Sequence, residues 1–215
     1  MMEGYDHSLH TRRQILQAVV ALPTILTLSA AGGLTAGTGL PEVTAQPSEL
    51  PPTPACTEPE DITPRQTEGP FYMRSSPERT SLLEPDLTGT HLYLTGAVLS
   101  RRCQPLAHVL LDFWQADGRG QYDNQGYRGR GHQFTDAAGT YRLVTVVPEL
   151  YSGRTRHIHV KVQAPNRPVL TTQLYFPGEA RNARDRLFNP ALVMAVQETA
   201  NGGKAAQFNF VLDLS

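Results

Sequence analysis

Residues 156–163, Arg-His-Ile-His-Val-Lys-Val-Gln, switch between polar and apolar at every second position. That period belongs to a strand with one buried face and does not suit a helix. Ile158, Val160 and Val162 form the apolar set, so His157 and His159 project together from the opposite face. Two adjacent imidazoles can clamp one metal ion, or they can simply be the polar side of a strand. Five further segments read as strands: His91 to Leu99, Ala107 to Trp114, Thr140 to Val146, Val169 to Phe176 and Gln207 to Leu212. Each is rich in β-branched, leucine or aromatic residues and bounded by turn residues. Arg102-Cys103-Gln104-Pro105 and Asp136-Ala137-Ala138-Gly139 supply tight connections. The 18 glycines and 17 prolines of the 215 residues favour the same turn-rich class. The expectation is an all-β, single-domain β-sandwich over 89–215, with a short helix predicted at Pro190 to Thr199.

The N-terminal part reads differently. Thr11-Arg12-Arg13-Gln14-Ile15-Leu16 sets paired arginines before an apolar run from Ile15 to Leu34. That pattern resembles a twin-arginine export signal over 1–45 and predicts a periplasmic or extracellular protein. Val43-Thr44-Ala45 is a cleavage site by its small residues, with Leu34-Thr35-Ala36 as a rival. Pro23 and the small residues Ser29 to Gly33 argue against a stable membrane-spanning helix. Loss of 1–45 removes Arg12, Arg13, Glu3, Asp6 and Glu42 and leaves 17 basic and 17 acidic residues. With no basic excess, neither nucleic acid nor an anionic membrane is an expected partner. Residues 46–88 form an extended Pro-rich arm, interrupted by Thr67-Glu68-Gly69-Pro70-Phe71-Tyr72. In an exported protein Cys56 and Cys103 read as one disulfide tying the arm to the core, with two free thiols as the alternative.

Gly118 to Gly131 is a long, polar, glycine-rich loop whose aromatics are Tyr122 and Tyr127. Loops of this length in compact domains tend to carry function. Another tyrosine, Tyr151, follows Val147-Pro148-Glu149-Leu150, shortly before the histidine strand. A phenol, with a pKa near ~10, becomes a ligand only when a strongly charged ion removes its proton. Two phenolates with two imidazoles suit ferric iron better than zinc or magnesium. A lone tyrosine is more often a packing residue, and the chemistry alone does not select these two from the eight present.

From about Thr63 to Leu214 the chain resembles the intradiol ring-cleavage dioxygenases, the family of protocatechuate 3,4-dioxygenase and catechol 1,2-dioxygenase. The resemblance rests on several ordered motifs: Thr67 to Tyr72; Asp112-Phe113-Trp114-Gln115-Ala116-Asp117 followed by Gly120-Gln121-Tyr122; Pro148-Glu149-Leu150-Tyr151; Arg154-Thr155-Arg156-His157-Ile158-His159; and Leu170 to Phe176. It implies the family's β-sandwich and a non-haem Fe(III) held by Tyr122, Tyr151, His157 and His159. It implies a catechol-type substrate and O2, with cleavage between the hydroxylated carbons to a muconate-type diacid. Tyr151 would be released and take up a proton. Arg154 would stabilise negative charge on the substrate, and Gln173 would orient the intermediate. Trp114 would wall the pocket or pack behind it, and Pro70, Phe71 and Tyr72 would line the entrance. The interval from Tyr151 to His157 is short for the family, and Gly153 stands where the protocatechuate enzymes carry a bulky aromatic. Residues 46–88 are not helical, unlike the dimerisation domain of catechol 1,2-dioxygenases, so a homo-oligomer stays open. Arg156, Arg128 and Tyr72 are candidates to bind a ring carboxylate.

Two other classes compete. A metal-free, exported β-sandwich binding module requires that the tyrosines and histidines do not converge. A cupin-like oxygenase or zinc hydrolase built on His157 and His159 requires a further glutamate or imidazole. Gln163 stands where a cupin needs its glutamate, and His91, His108 and His132 read as surface or packing residues.

Overall fold

The computed structural model describes residues 62–214; the expected export signal and Cys56 lie outside the described residues. The described residues form nine strands: β1 (His91–Ser100), β2 (Leu110–Trp114), β3 (Arg130–Phe134), β4 (Thr140–Val146), β5 (His157–Gln163), β6 (Leu170–Tyr175), β7 (Ala195–Glu198), β8 (Lys204–Gln207) and β9 (Phe210–Leu212). One sheet runs β4-β1-β8-β7, with β9 alongside the far end of β1. The other runs β3-β2-β5-β6 and is antiparallel throughout. The apolar faces meet in one core. Leu92, Leu94, Val98 and Leu143 come from the first sheet, and Leu111, Phe113, Ile158, Val160 and Leu174 from the second, all fully buried. Each such side chain contributes about 2 kcal/mol relative to exposure. This is the all-β sandwich expected from the period-two segments.

Three differences from the sequence expectation have local causes. The strand expected from Ala107 starts at Leu110, because His108 adopts a left-handed backbone (φ 56°). The helix expected at Pro190 to Thr199 is instead a single 3-10 turn at Pro190–Leu192, capped by Asn189, followed by β7. Pairing of Ala195–Glu198 with Lys204–Gln207 outweighs any local helical preference there. The segment expected from Gln207 to Leu212 divides into β8 and β9, since Phe208 and Asn209 leave the ladder. The Phe208 carbonyl accepts from the Tyr141 hydroxyl at 2.8 Å, and the Asn209 side chain accepts from Ala97 N–H at 2.9 Å.

The arm is what makes β5 different from an ordinary half-exposed strand. It starts against β9, where Thr63 and Val211 exchange hydrogen bonds, and passes β6, where Gln66 N–H donates to Thr171 O at 2.8 Å. It then crosses the outer face of the four-stranded sheet to β3, where Arg79 N–H donates to His132 O, and reaches β4 at Val144. His157 and His159 lie beneath this crossing and are 4% and 3% exposed. Gly69 passes directly over the second histidine: a Cβ there would sit 3.4 Å from the His159 ring. Cys103 is disulfide-bonded.

Gly96 marks where β1 changes partner, from β8 (up to Thr95) to β9 (from Val98). A Cβ at Gly96 would lie 1.8 Å from the Phe208 carbonyl oxygen. Gly96→Ala is therefore expected to cost about 3 kcal/mol, lowering the thermal midpoint by roughly 6–12 °C by calorimetry.

Candidate active site

Antiparallel pairing sets the row of side chains at the centre of the site. Trp114 of β2 lies opposite His159 of β5, which lies opposite Gln173 of β6; His157 lies opposite Tyr175. Directly opposed residues share a face, so all five project away from the core and under the arm. His157 and His159 bring their Nε2 atoms to 3.2 Å. The Nδ1 of His157 lies 2.7 Å from the Thr155 carbonyl oxygen, which selects the tautomer with a proton there and leaves Nε2 as a lone pair facing the site. Trp114 stacks on His159 at 4.8 Å and 9°; it is almost wholly buried and packs behind the imidazole.

The two tyrosines arrive from loops. Tyr122 places its hydroxyl 3.3 Å from His157 Nε2. Its loop is tightly held despite its composition: Asp117 Oδ1 accepts from the N–H groups of Arg119 and Gln121, and Asp123 accepts from Gln125, Gly126 and Arg128. Such side-chain to backbone bonds fold polar loops. Arg130, 1% exposed, donates to the Asp123 carbonyl through Nε (3.0 Å) and a terminal nitrogen (2.6 Å), and to the Phe71 carbonyl at 2.5 Å. One guanidinium thus fixes the residue after Tyr122 and the arm residue above it. Tyr151 opens an exposed turn closed by Arg154 N–H to Tyr151 O at 2.7 Å. The Tyr122 and Tyr151 rings meet edge to face at 5.4 Å, and Phe71 packs on both, at 4.5 Å and 5.1 Å.

The four residues expected as ligands therefore converge. Among the described residues no three of His, Cys, Asp and Glu gather to hold a metal ion. A cation here would depend on phenol oxygens, and the donor set of two imidazoles with two phenols fits ferric iron. His159 Nδ1 is buried without a hydrogen-bond partner, so strong ligation through Nε2 would offset a real desolvation cost. Gln163 lies at the far end of β5, donating to Arg167 O. Among the described residues, neither the third imidazole nor the glutamate that the rival metalloenzymes require joins His157 and His159.

The other expected residues are engaged as follows. Arg154 pairs with Asp185 (Nε to Oδ2, 2.8 Å) and donates to Gln173 Oε1 at 2.7 Å. The Gln173 amide nitrogen donates to Thr67 O at 3.0 Å. Pro70 is exposed at the arm's surface, and Phe71 covers the tyrosines. Tyr72 turns the other way: its hydroxyl donates to Asp112 at 3.0 Å, its ring packs on Trp114, and Lys161 lies 3.6 Å above its centroid. Arg156 is held by both oxygens of Glu149 at 2.7 Å and by Glu179 at 3.1 Å. Thr155 and Tyr175 stand within the quoted motifs without a role read for them there, and Asp185 and Arg130 have no sequence signal that marks them; Asp185 reaches Arg154 and Thr155, and Arg130 reaches Phe71, across large sequence separations.

Burial pushes the His157 pKa down to about 4, helped by the nearby Arg154 guanidinium, and His159 well below its ordinary value. Burial raises the Tyr122 phenol, with Arg154 and Arg130 pulling it back. Both imidazoles are thus neutral at pH 7, as ligands must be. The unfolded chain binds a proton at His157 below about 6.5, whereas the folded protein does so only near 4. Stability from this residue is complete above about 6.5 and lost as pH falls toward 4. The metal-free protein should lose on the order of 3 kcal/mol across that window. Urea midpoints at several pH values measure it, and His157→Gln should flatten the dependence.

A family profile described as Dioxygenase matches residues 67–214. The solved dioxygenase domain of a dioxygenase–carbohydrate-binding protein fusion from the cellulolytic bacterium Streptomyces sp. SirexAA-E is 58% identical, with a TM-score of 0.69, covering 72% of this chain and 99% of that one. The protocatechuate 3,4-dioxygenase beta chain of Burkholderia cepacia is 31% identical over 46% of this chain and 50% of that protein. Catechol 1,2-dioxygenase of Acinetobacter baylyi is 28% identical over 56% and 48% respectively. The chain spans about half the length of these two curated relatives.

Proposed function

The chain belongs to the intradiol ring-cleavage dioxygenases, and from that premise we propose that it cleaves a catechol-type ring between its two oxygen-bearing carbons. Both atoms of O2 enter the product, a muconate-type diacid. The observation that carries this reading is the convergence of two neutral imidazoles and two phenols under one stretch of arm. Tyr122, Tyr151, His157 and His159 would hold ferric iron. Bound there, the ion supplies the chelating and redox chemistry that lets a catechol react with O2.

The remaining groups divide the work by position. Tyr122, pinned through Arg130, is the fixed phenol. Tyr151, on an exposed turn, is the one placed to take up the substrate's proton. Phe71 closes the side toward the arm and keeps water from the reacting ring. Arg154 presents a guanidinium to the site from a fixed geometry, where it opposes negative charge on the opening ring. The paired arginines near the N-terminus support export as the route by which such a protein leaves the cytoplasm.

The site favours a ring without a carboxylate. Arg156 is already held by two glutamates, Tyr72 faces Asp112, Arg154 is paired with Asp185, and Lys161 with Glu68 at 2.5 Å. Desolvating a substrate carboxylate beside groups already engaged in this way is costly. The relatives include enzymes named for catechol, hydroxyquinol and chlorocatechol as well as protocatechuate. Catechol is expected to exceed protocatechuate in kcat/KM by at least about ten-fold, roughly 1.4 kcal/mol; the reverse order would overturn this assignment.

The decisive test is the visible spectrum of purified protein, repeated with catechol under anaerobic conditions. A broad phenolate-to-iron band that moves to longer wavelength is expected, and Tyr122→Phe should abolish or strongly weaken it. A colourless protein that takes up no iron on reconstitution would sink the reading.

A further inference from the structure

A carboxylate that no motif marks is connected to two of the residues this function needs. Asp185 follows a 3-10 turn at Asn182–Arg184, in the connection from β6 to β7, and its side chain is 2% exposed. It accepts three N–H groups. Oδ2 takes Arg154 Nε at 2.8 Å and the backbone N–H of Thr155 at 2.8 Å; Oδ1 takes the backbone N–H of Leu187 at 2.9 Å. Thr155 is fully buried, and its hydroxyl bonds to Asn182 Oδ1 at 2.6 Å. The same short segment therefore grips both the main chain and the side chain of Thr155.

The consequence lies on the other side of that residue. The Thr155 carbonyl meets His157 Nδ1 at 2.7 Å. The orientation of this carbonyl decides which ring nitrogen carries the proton and where Nε2 points. The second line runs through Arg154, whose guanidinium bridges Asp185 and Gln173 Oε1. Gln173 lies directly opposite His159 on the neighbouring strand. One buried anion thus reaches toward both histidines, from a part of the chain some thirty residues away.

We propose that Asp185 is a positioning residue for the site: by holding Thr155 and Arg154 it fixes the His157 tautomer with Nε2 toward the metal position and the guanidinium against Gln173. The proposal rests on the function assigned above, and it makes Asp185 more than a buried counter-ion. A counter-ion alone would affect stability. A positioning residue also sets the state of a ring it does not touch.

The test is nitrogen-15 NMR of histidine side chains in the full-length, metal-free protein, with His157 assigned by His157→Gln. In the parent protein a single Nδ1–H tautomer is expected. In Asp185→Asn, which keeps the size of the side chain and removes its charge, His157 should show a tautomer mixture. Iron affinity in a chelator competition should fall about 10- to 100-fold. A folded Asp185→Asn protein with lower thermal stability, an unchanged His157 tautomer and iron affinity within two-fold of the parent would overturn the proposal. Should that variant fail to fold, Asp185→Glu keeps the charge and moves it by one methylene. A tautomer mixture there supports the proposal, and a single Nδ1–H tautomer overturns it. Because the tautomer is read without metal or turnover, a shifted tautomer in a protein that never binds iron would count against the ring-cleavage reading alone.

Discussion

The polar face of the four-stranded sheet is covered by the chain's own arm, and the chemistry depends on that cover. A strand with Ile158, Val160 and Val162 on one side would ordinarily leave His157 and His159 in water. Here Gly69, Phe71 and Tyr72 lie over that side, so β5 is buried on both faces near its start. Burial keeps the imidazoles neutral and raises the cost of any polar group left without a partner. The arm in turn stays down because its carbonyls meet donors from beneath: Gln173 reaches Thr67 O, and Arg130 reaches Phe71 O. Cover and site are one structure, held by the same hydrogen bonds.

Charge around the site follows a consistent pattern. Arg154 and Arg156 each meet carboxylates, and Lys161 meets Glu68. Arg130 differs: it is buried and bonded to carbonyl oxygens, with no carboxylate in ion-pair range among the described residues. Its charge contributes to the field that lowers the Tyr122 phenol against the effect of burial. A buried guanidinium with neutral partners is costly in an apolar interior.

Much of this was legible in the sequence, and what was not has physical reasons. Period-two alternation reported β1, β4, β5 and β6 within a residue or two, because each has one face on the core. β3 was hidden: Arg-Gly-His-Gln-Phe has no alternation, since its buried positions are Arg130, Gly131 and Gln133 while Phe134 is exposed. The convergence of Tyr122 and Tyr151 with the histidines was reached through family motifs, not through residue chemistry. Tyr72 could not be placed by its neighbours in sequence. Pro70 and Phe71 form a turn, which sends Phe71 to the tyrosines and Tyr72, just after it, to Asp112. Asp185 was invisible because its partners are set by the return of the chain after β6, and a lone aspartate among arginines has no pattern to read.

The route of the arm also dictates an order of events. Thr63 bonds to Val211, Arg65 to Val169 and Gln66 to Thr171, so a segment made early pairs with strands made late. Contacts across such separations form slowly, after the intervening chain has collapsed. The core between the two sheets itself takes in Leu82 and Leu87 of the arm. Cover of His157 and His159 by the arm therefore depends on β6 and β9, the late strands to which its first residues bond.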